Sequence, residues 1–187
     1  PSIEAMHTDQ DQRREQGKAD RPGTKQVERM FREGIHHVRQ DSERSLTEFR
    51  KELSRLTFQE QLGSMLEKSE RVEKLTGELA VLLGLDSDER KNALRASHLA
   101  KADLATAMVV EMTALQGVMG REYATATGES DEVARAIEEH YWPLVPGGKL
   151  PQGLIGLVVG MADRLDSLIG LFAVGIAPTG AADPFGQ

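Results

Sequence analysis

Apolar residues recur at steps of three and four along most of the chain, which is the period of an amphipathic α-helix. In the clearest example, segment 67–83, the apolar positions share one helix face and comprise Val72, Leu75, Leu79, Leu82 and Leu83. No segment shows the strict apolar–polar alternation of a half-buried strand. The pattern therefore predicts an all-α protein.

Residues that start and stop helices divide this pattern into elements. Ser45–Glu48 and Asp86–Glu89 have the spacing of capping boxes, in which two side chains satisfy free backbone N–H groups. Gly84 is expected to end one helix and Pro143 another. A first helix is thus predicted over about 24–55, with a possible break before Ser45. A second is predicted to start at a possible cap at 57–60 and to end at 66. Five more are predicted over 67–83, 86–102, 104–126, 130–142 and 152–172.

The chain falls into three segments by composition. Residues 1–23 are polar without periodicity and are expected to form a disordered tail. Residues 24–55 predict an amphipathic helix or helical hairpin, appended to a helical domain at 56–187. The last helix of that domain is apolar nearly all round, which predicts that it lies at the buried centre of the bundle.

The bulk composition excludes several classes of protein. The absence of cysteine excludes disulfides and cysteine-ligated metal sites. The longest apolar stretch, residues 153–162, is about half of what a membrane span requires, so no membrane contact is expected. The formal charge of −7 argues against a protein that coats nucleic acid, so any RNA contact must come from a local basic patch.

Two groups of glycines stand inside helical patterns. Gly117 and Gly120 each cost a helix roughly 1 kcal/mol relative to alanine, which predicts a bend or break, with an RNA-contacting loop as the bolder alternative. Gly153, Gly156 and Gly160 are spaced to form a smooth face for close helix packing. No strand precedes them, so a phosphate cradle is not indicated.

The block 84–104, together with the helix before it, resembles the first half of HD-domain proteins. These are helical bundles that hold metal ions with a histidine, a later His-Asp pair and a distant aspartate. The segment Met161–Asp166 resembles the one that carries the distant aspartate. Residue by residue, the implied ligand positions fall on Lys68, Ala100, Lys101 and Asp163, of which only Asp163 keeps a ligand.

Side-chain chemistry at these positions argues against a metal. A ligand needs a free lone pair, which alanine and protonated lysine both lack. Two ammonium groups would also repel a divalent ion by a few kcal/mol per charge pair at about 4 Å and an effective dielectric near 20. We therefore predict no metal and no catalytic residue, and expect Asp163 to pair with Lys68 or Lys101 or else to be solvated. His98 and Asp103 flank the degenerate pair, but their separation is poor spacing for one site.

Residues 46–187 further resemble the β subunit of bacterial heterotetrameric glycyl-tRNA synthetases, the glycine–tRNA ligases. The most specific segment is Leu115–Gly120, followed by Tyr123. The matching segments, in the family's order, are Phe58–Gly63, Glu67–Arg71, Leu99–Leu104, Met112–Tyr123, Ala162–Asp166 and Asp183–Phe185. The resemblance implies that the chain is one part of such a subunit.

That resemblance implies a cytoplasmic α/β assembly that joins glycine to its tRNA using ATP. The α subunit would hold ATP, with Mg²⁺, at the adenylate-forming site, and the β subunit would recognise tRNA. This chain would be a non-catalytic HD-like module with no cofactor of its own. Its partners would be tRNA(Gly), the α subunit and the other β-subunit domains.

Contacts with tRNA would bring lysine or arginine against phosphate. The candidates are Lys68, Arg71, Lys101, Arg121 and Arg164, and the alternative for each is a solvated or salt-bridged charge. Two other functions stay open. A structural bundle that braces neighbouring parts of the ligase would show a sizeable exposed apolar patch without a positive patch beside it. An HD-type phosphohydrolase would need metal ligands.

Overall fold

The computed structural model describes residues 24–176. The predicted tail at 1–23 and the segment Asp183–Phe185 lie outside the described residues. Contacts separate a unit that ends at Val38 from a compact unit that begins at Arg39. The second unit contains every element after residue 41, including residues 46–55, which the sequence assigned to a separate N-terminal extension.

The described residues are predominantly helical, which confirms the all-α class. The helices are α1 Thr24–Asp41, α2 Leu46–Glu52, α3 Met65–Leu82, α4 Ser87–Leu99, α5 Ala107–Glu111, α6 Val118–Ala126, α7 Asp131–Glu139 and α8 Leu154–Ala173. Short 3-10 turns occupy Leu53–Arg55, Ala102–Ala105 and Thr113–Leu115. Between residues 24 and 176, no helix combines the length and the apolar character needed to cross a membrane.

The predicted capping boxes are confirmed. Ser45 and Glu48 cap each other's backbone N–H at the start of α2, so the predicted helix 24–55 is split into α1 and α2. Asp86 and Glu89 do the same for α4. Gly84, with φ of +73°, follows the end of α3 in the left-handed conformation that glycine adopts at little cost.

The helix predicted at 57–66 is wrong in its first part, because residues 57–64 form a small hairpin. Strand β1, Thr57–Gln59, pairs antiparallel with β2, Gly63–Ser64. The Gln59 side chain accepts the backbone N–H of Gln61 at 2.6 Å, which tightens the turn. Ser64 rather than Thr57 then caps the next helix, in a box with Glu67.

The single helix predicted over 104–126 is also wrong, since buried carboxylates replace its internal hydrogen bonds. The Asp103 carboxylate accepts the Gly117 N–H at 2.5 Å, and Gly117 has φ of +80°. Asp41 accepts the N–H groups of Ala107 and Met108 at the start of α5, at 3.0 and 2.9 Å. The chain therefore breaks at Gly117, as its glycines predict, and α6 starts afresh.

Four helices form the centre of the compact unit. Helix α3 packs against α4 and α8, α4 also packs against α7 and α8, and α7 packs against α6 and α8. Small and branched side chains fill the space between them, chiefly Val72, Ala80, Ala93, Ala96, Leu99, Ile137, Val158, Val159 and Ala162. The scarcity of aromatic residues, 4% of the chain, is consistent with this close helix-to-helix packing.

The predicted close packing at the glycines of α8 is confirmed. A Cβ added to Gly156 would lie 2.7 Å from the Glu139 Cβ, and one added to Gly160 would lie 3.0 Å from the His140 carbonyl oxygen. The Glu139 carboxylate accepts the Gly153 N–H at 2.9 Å, so it occupies the positive end of α8. These contacts fix α7 against α8.

The prediction that α8 is buried all round is wrong. One side, including Ile155, Val158 and Ala162, lies in the core, but the opposite side is exposed. Only one face of the helix can meet α3, α4 and α7, and no described element packs over the other.

Replacing Gly156 with alanine is expected to destabilise the fold by about 1–3 kcal/mol, because the new methyl group would overlap the Glu139 side chain. The matched control is Gly77→Ala in the interior of α3, where the added Cβ meets only a Leu94 methyl at 3.5 Å. That change should be neutral or should stabilise by up to about 1 kcal/mol. Urea denaturation measures both, and equal effects would contradict the packing argument.

Candidate functional site

The structure brings together the charged residues that the sequence singled out on α3, after α4 and on α8. Lys68 lies in the second turn of α3, Lys101 follows α4, and Asp163 lies midway along α8. Together with Arg71 and Asp166 they form the Asp163 cluster. The pairing predicted for Asp163 is present, and it involves both lysines.

Lys68 is the most enclosed member of the Asp163 cluster, with a side chain only 4% exposed. Its Nζ lies 3.0 Å from Asp163 Oδ1 and 3.1 Å from Asp166 Oδ2, and donates to Ser167 Oγ at 2.7 Å. The Phe58 ring centroid lies 4.6 Å from the same nitrogen. The ammonium group thus has opposite charge and hydrogen-bond acceptors in place of water, which a buried charge requires.

Lys101 reaches Asp163 from a strained backbone. Its φ of +68° is uncommon for a residue with a Cβ. The Nζ lies 2.8 Å from Asp163 Oδ2 and 4.1 Å from the Tyr141 ring centroid, a cation–π distance. Such a conformation costs on the order of 1–3 kcal/mol and persists only where surrounding contacts hold it.

The Asp163 carboxyl is held in its charged form, and Asp166 is paired beside it. Burial raises the pKa of the Asp163 carboxyl, but the ammonium groups of Lys101 and Lys68 outweigh burial and leave that pKa well below its ordinary value. Arg71 binds Asp166 with two nitrogens, Nε to Oδ1 at 2.6 Å and Nη2 to Oδ2 at 3.2 Å. The Asp163 cluster therefore joins three cations to two carboxylates.

His140, at the end of α7, lies beside the Asp163 cluster and is neutral. Burial, with the nearby Lys101 charge, lowers the pKa of His140 to about 3 although the Asp163 charge acts in the opposite direction. Its Nδ1 lies 2.6 Å from the Ile137 carbonyl oxygen, to which it can donate as the neutral ring. The Arg164 guanidinium donates to the backbone carbonyls of His140, Tyr141 and Trp142, so it ties α8 to the end of α7.

The remaining predicted positions lie apart from this centre. Ala100 is buried at the end of α4, and Arg121 pairs with Glu122 and Glu138 on α6 and α7. His98 contacts Glu73 at 3.1 Å, whereas Asp103 is committed to Gly117. Within residues 24–176, no three side chains of the types His, Asp and Glu are grouped so that they could hold a metal ion.

Sequence reasoning missed Asp166, Ser167, Phe58 and Tyr141 as members or neighbours of the Asp163 cluster. Asp166 and Ser167 could have been found, because they stand three and four residues after Asp163 and so share its helix face. Phe58 and Tyr141 carry no such signal, since they approach from the hairpin and from the segment after α7.

By fold and site, the chain is a helical-bundle domain with a cluster of paired charges inside it. A family model described as the glycyl-tRNA synthetase β subunit matches residues 22–187. The chain belongs to that family.

Curated relatives agree with this assignment. The chain is 50% identical over 147 residues to the glycine–tRNA ligase β subunit of Desulforudis audaxviator, covering 79% of this chain and 21% of that protein. The corresponding subunit of Azotobacter vinelandii is 47% identical over 146 residues, 78% of this chain and 21% of the relative. The subunit of Clostridioides difficile is 43% identical over 161 residues, which cover 86% of this chain and 23% of the relative. The chain thus spans about one fifth of the length of these relatives.

A double-mutant cycle of Lys101→Met and Asp163→Asn should show a coupling free energy of about 1–3 kcal/mol in urea unfolding. The reason is that Lys101→Met removes one of the two ammonium groups that pair with the buried carboxylate, and Asp163→Asn removes the charge that Lys101 pairs with. The control cycle uses Arg44 and Glu52, an ion pair with side chains 41% and 33% exposed, where coupling should stay below about 1 kcal/mol. Additive effects at Lys101 and Asp163 would show that the two charges do not depend on each other.

The buried His140 should make the fold sensitive to mild acid. In the unfolded chain this histidine binds a proton near its ordinary pKa of 6.5, whereas in the folded protein it does so only near 3. The unfolded state therefore holds more protons in this window, and the free energy of unfolding falls as the pH falls, by up to about 1.4 kcal/mol per pH unit.

The measurement is urea unfolding of the wild type and of His140→Asn at a series of pH values below neutrality. The asparagine keeps a donor for the Ile137 carbonyl but does not titrate. Its stability should fall less steeply with acid than that of the wild type, and parallel slopes would show that His140 is not the group responsible.

Proposed function

We propose that this chain is a non-catalytic, HD-like module of a glycine–tRNA ligase β subunit that helps to position tRNA(Gly) for ATP-dependent aminoacylation by the α subunit. One observation carries the non-catalytic part. The ammonium groups of Lys68 and Lys101 lie 3.0 and 2.8 Å from the two oxygens of the Asp163 carboxylate. Positions that would supply metal ligands in an HD-domain protein thus supply the positive charge instead.

The chemistry of the Asp163 cluster supports this proposal. Metal-assisted hydrolysis needs a bound water with a lowered pKa, and metal-free hydrolysis needs a general base near neutrality. The pKa of Asp163 is lowered by its lysines, which makes the carboxylate a weak base. The pKa of His140, at about 3, also lies far from neutrality.

The exposure of the cations decides which of them can serve tRNA in this proposal. The side chains of Lys68 and Lys101 are 4% and 12% exposed and are committed to Asp163, and Arg164 is committed to backbone carbonyls. Arg71 and Arg121 keep 40% of their side chains exposed although both are paired. Phosphate contacts are therefore assigned to Arg71 and Arg121, while the buried cations hold the bundle together.

Charge reversal at Arg71 or Arg121 in the full-length ligase should raise the KM for tRNA(Gly) several-fold. Each lost phosphate contact should also reduce, by about one, the slope of the logarithm of tRNA affinity against the logarithm of salt concentration. ATP–pyrophosphate exchange with glycine should not change, because adenylate formation is assigned to the α subunit. Steady-state aminoacylation and tRNA binding at several salt concentrations measure these effects.

The control is Arg44→Glu, which reverses an arginine of nearly the same exposure, 41%, that is also paired with a carboxylate. An equal rise in KM for the control, or no rise for Arg71→Glu and Arg121→Glu, would contradict the tRNA assignment. A stoichiometric transition metal bound beside Asp163, or phosphoester hydrolysis by the purified chain, would contradict the non-catalytic assignment.

A further inference from the structure

Every exposed side chain of α8 is apolar. The exposed positions are Leu154, Leu157, Met161, Leu165, Leu168, Ile169, Phe172 and Ala173. From Leu154 to Leu168 they follow one another at steps of three and four, so they form one continuous stripe, and Phe172 continues it to the end of the helix. At 1.5 Å per residue the stripe is about 27 Å long.

The polar side chains of the same helix point the other way. Asp163, Asp166 and Ser167 are turned into the bundle and paired there, and Arg164 is bonded to backbone carbonyls. A surface helix ordinarily shows the opposite arrangement, with its apolar stripe inward and its charges in water. Single exposed leucines are common, but a contiguous apolar stripe of this length marks an interaction surface.

The segment that leads into α8 also carries exposed apolar side chains. Leu144, Val145 and Leu150, which precede the helix within ten residues, are 66%, 62% and 66% exposed. This stretch of the described chain therefore presents apolar side chains from residue 144 to residue 172.

We infer that the exposed stripe of α8 is an interface that is covered, in the complete β subunit, by an apolar helix from another part of the same polypeptide. The curated relatives are about five times as long as the aligned region, so most of the polypeptide lies outside this module. A helix fits the stripe, because rows at three- and four-residue steps are those that interlock when helices pack side by side. The inference goes beyond the proposed function and does not depend on it.

The chemistry of the stripe argues against a nucleic-acid occupant. Its exposed positions carry no charge and no hydrogen-bonding side chain, so the covering face must itself be apolar. A phosphate backbone needs lysine or arginine, and the one arginine of α8 is committed to carbonyl groups.

The test is photo-crosslinking in the full-length β subunit assembled with its α subunit. A benzophenone amino acid replaces Leu157 in one variant and Leu168 in another, and replaces Glu78, an exposed residue of α3, in the control. Leu157 and Leu168 should crosslink, several-fold more than Glu78, to an apolar helix of the same chain outside this module. Crosslinks only to the α subunit, only to a second copy of this module, or no more than at Glu78, would overturn the inference.

A second measurement needs no substitution. Met161 on the stripe and Met112 in the segment after α5 are 37% and 38% exposed in this module. If the stripe is covered in the complete subunit, peroxide should oxidise Met161 several-fold more slowly than Met112. Equal rates, read out by mass spectrometry of the full-length protein, would contradict a covered stripe.

Discussion

The ion pairs of the Asp163 cluster constrain the rest of the bundle. Three separate parts of the chain, α3, the segment after α4, and α8, each place a charge where water is excluded. A buried charge without its partner costs several kcal/mol, so these parts must keep their mutual positions to within hydrogen-bond distance. Lys68 shows this most directly, since its ammonium contacts Asp163, Asp166 and Ser167 within 3.1 Å.

The contacts around the Asp163 cluster extend this constraint to α7. Arg164 bonds the carbonyls that end α7, and Glu139 bonds the amide groups that begin α8. The same two helices approach closely because Gly156 and Gly160 carry no side chain. The inner face of α8 thus carries paired charges beside buried apolar side chains such as Val158 and Ala162, while its other apolar side chains are exposed.

The Asp163 cluster links three separate parts of the chain through paired charges. Two lysines, on α3 and in the segment after α4, share the one Asp163 carboxylate of α8. The backbone strain at Lys101, whose φ is +68°, is consistent with a conformation held by the ion pair between its side chain and Asp163.

Much of the local structure follows from the sequence alone. Capping boxes at Ser45 and Asp86 and the stop at Gly84 depend on residues close in the chain, and the structure has each of them. The class of fold follows from the helical period. The sequence left open whether Asp163 pairs with a lysine or is solvated, and the structure pairs it with two lysines. Membership of the glycyl-tRNA synthetase β-subunit family could also be predicted from the sequence, because it depends on short motifs that occur in the family's order.

Tertiary structure decided what depends on distant residues. The helix predicted at 104–126 is broken because the carboxylates of Asp41 and Asp103 accept hydrogen bonds from its backbone amide groups. The residues next to Gly117 in the chain give no sign of these hydrogen bonds. The exposed side of α8 could not be predicted, since an apolar sequence does not say how many faces have neighbours. Burial is a property of the whole packing arrangement, whereas capping and helical period are properties of a few consecutive residues.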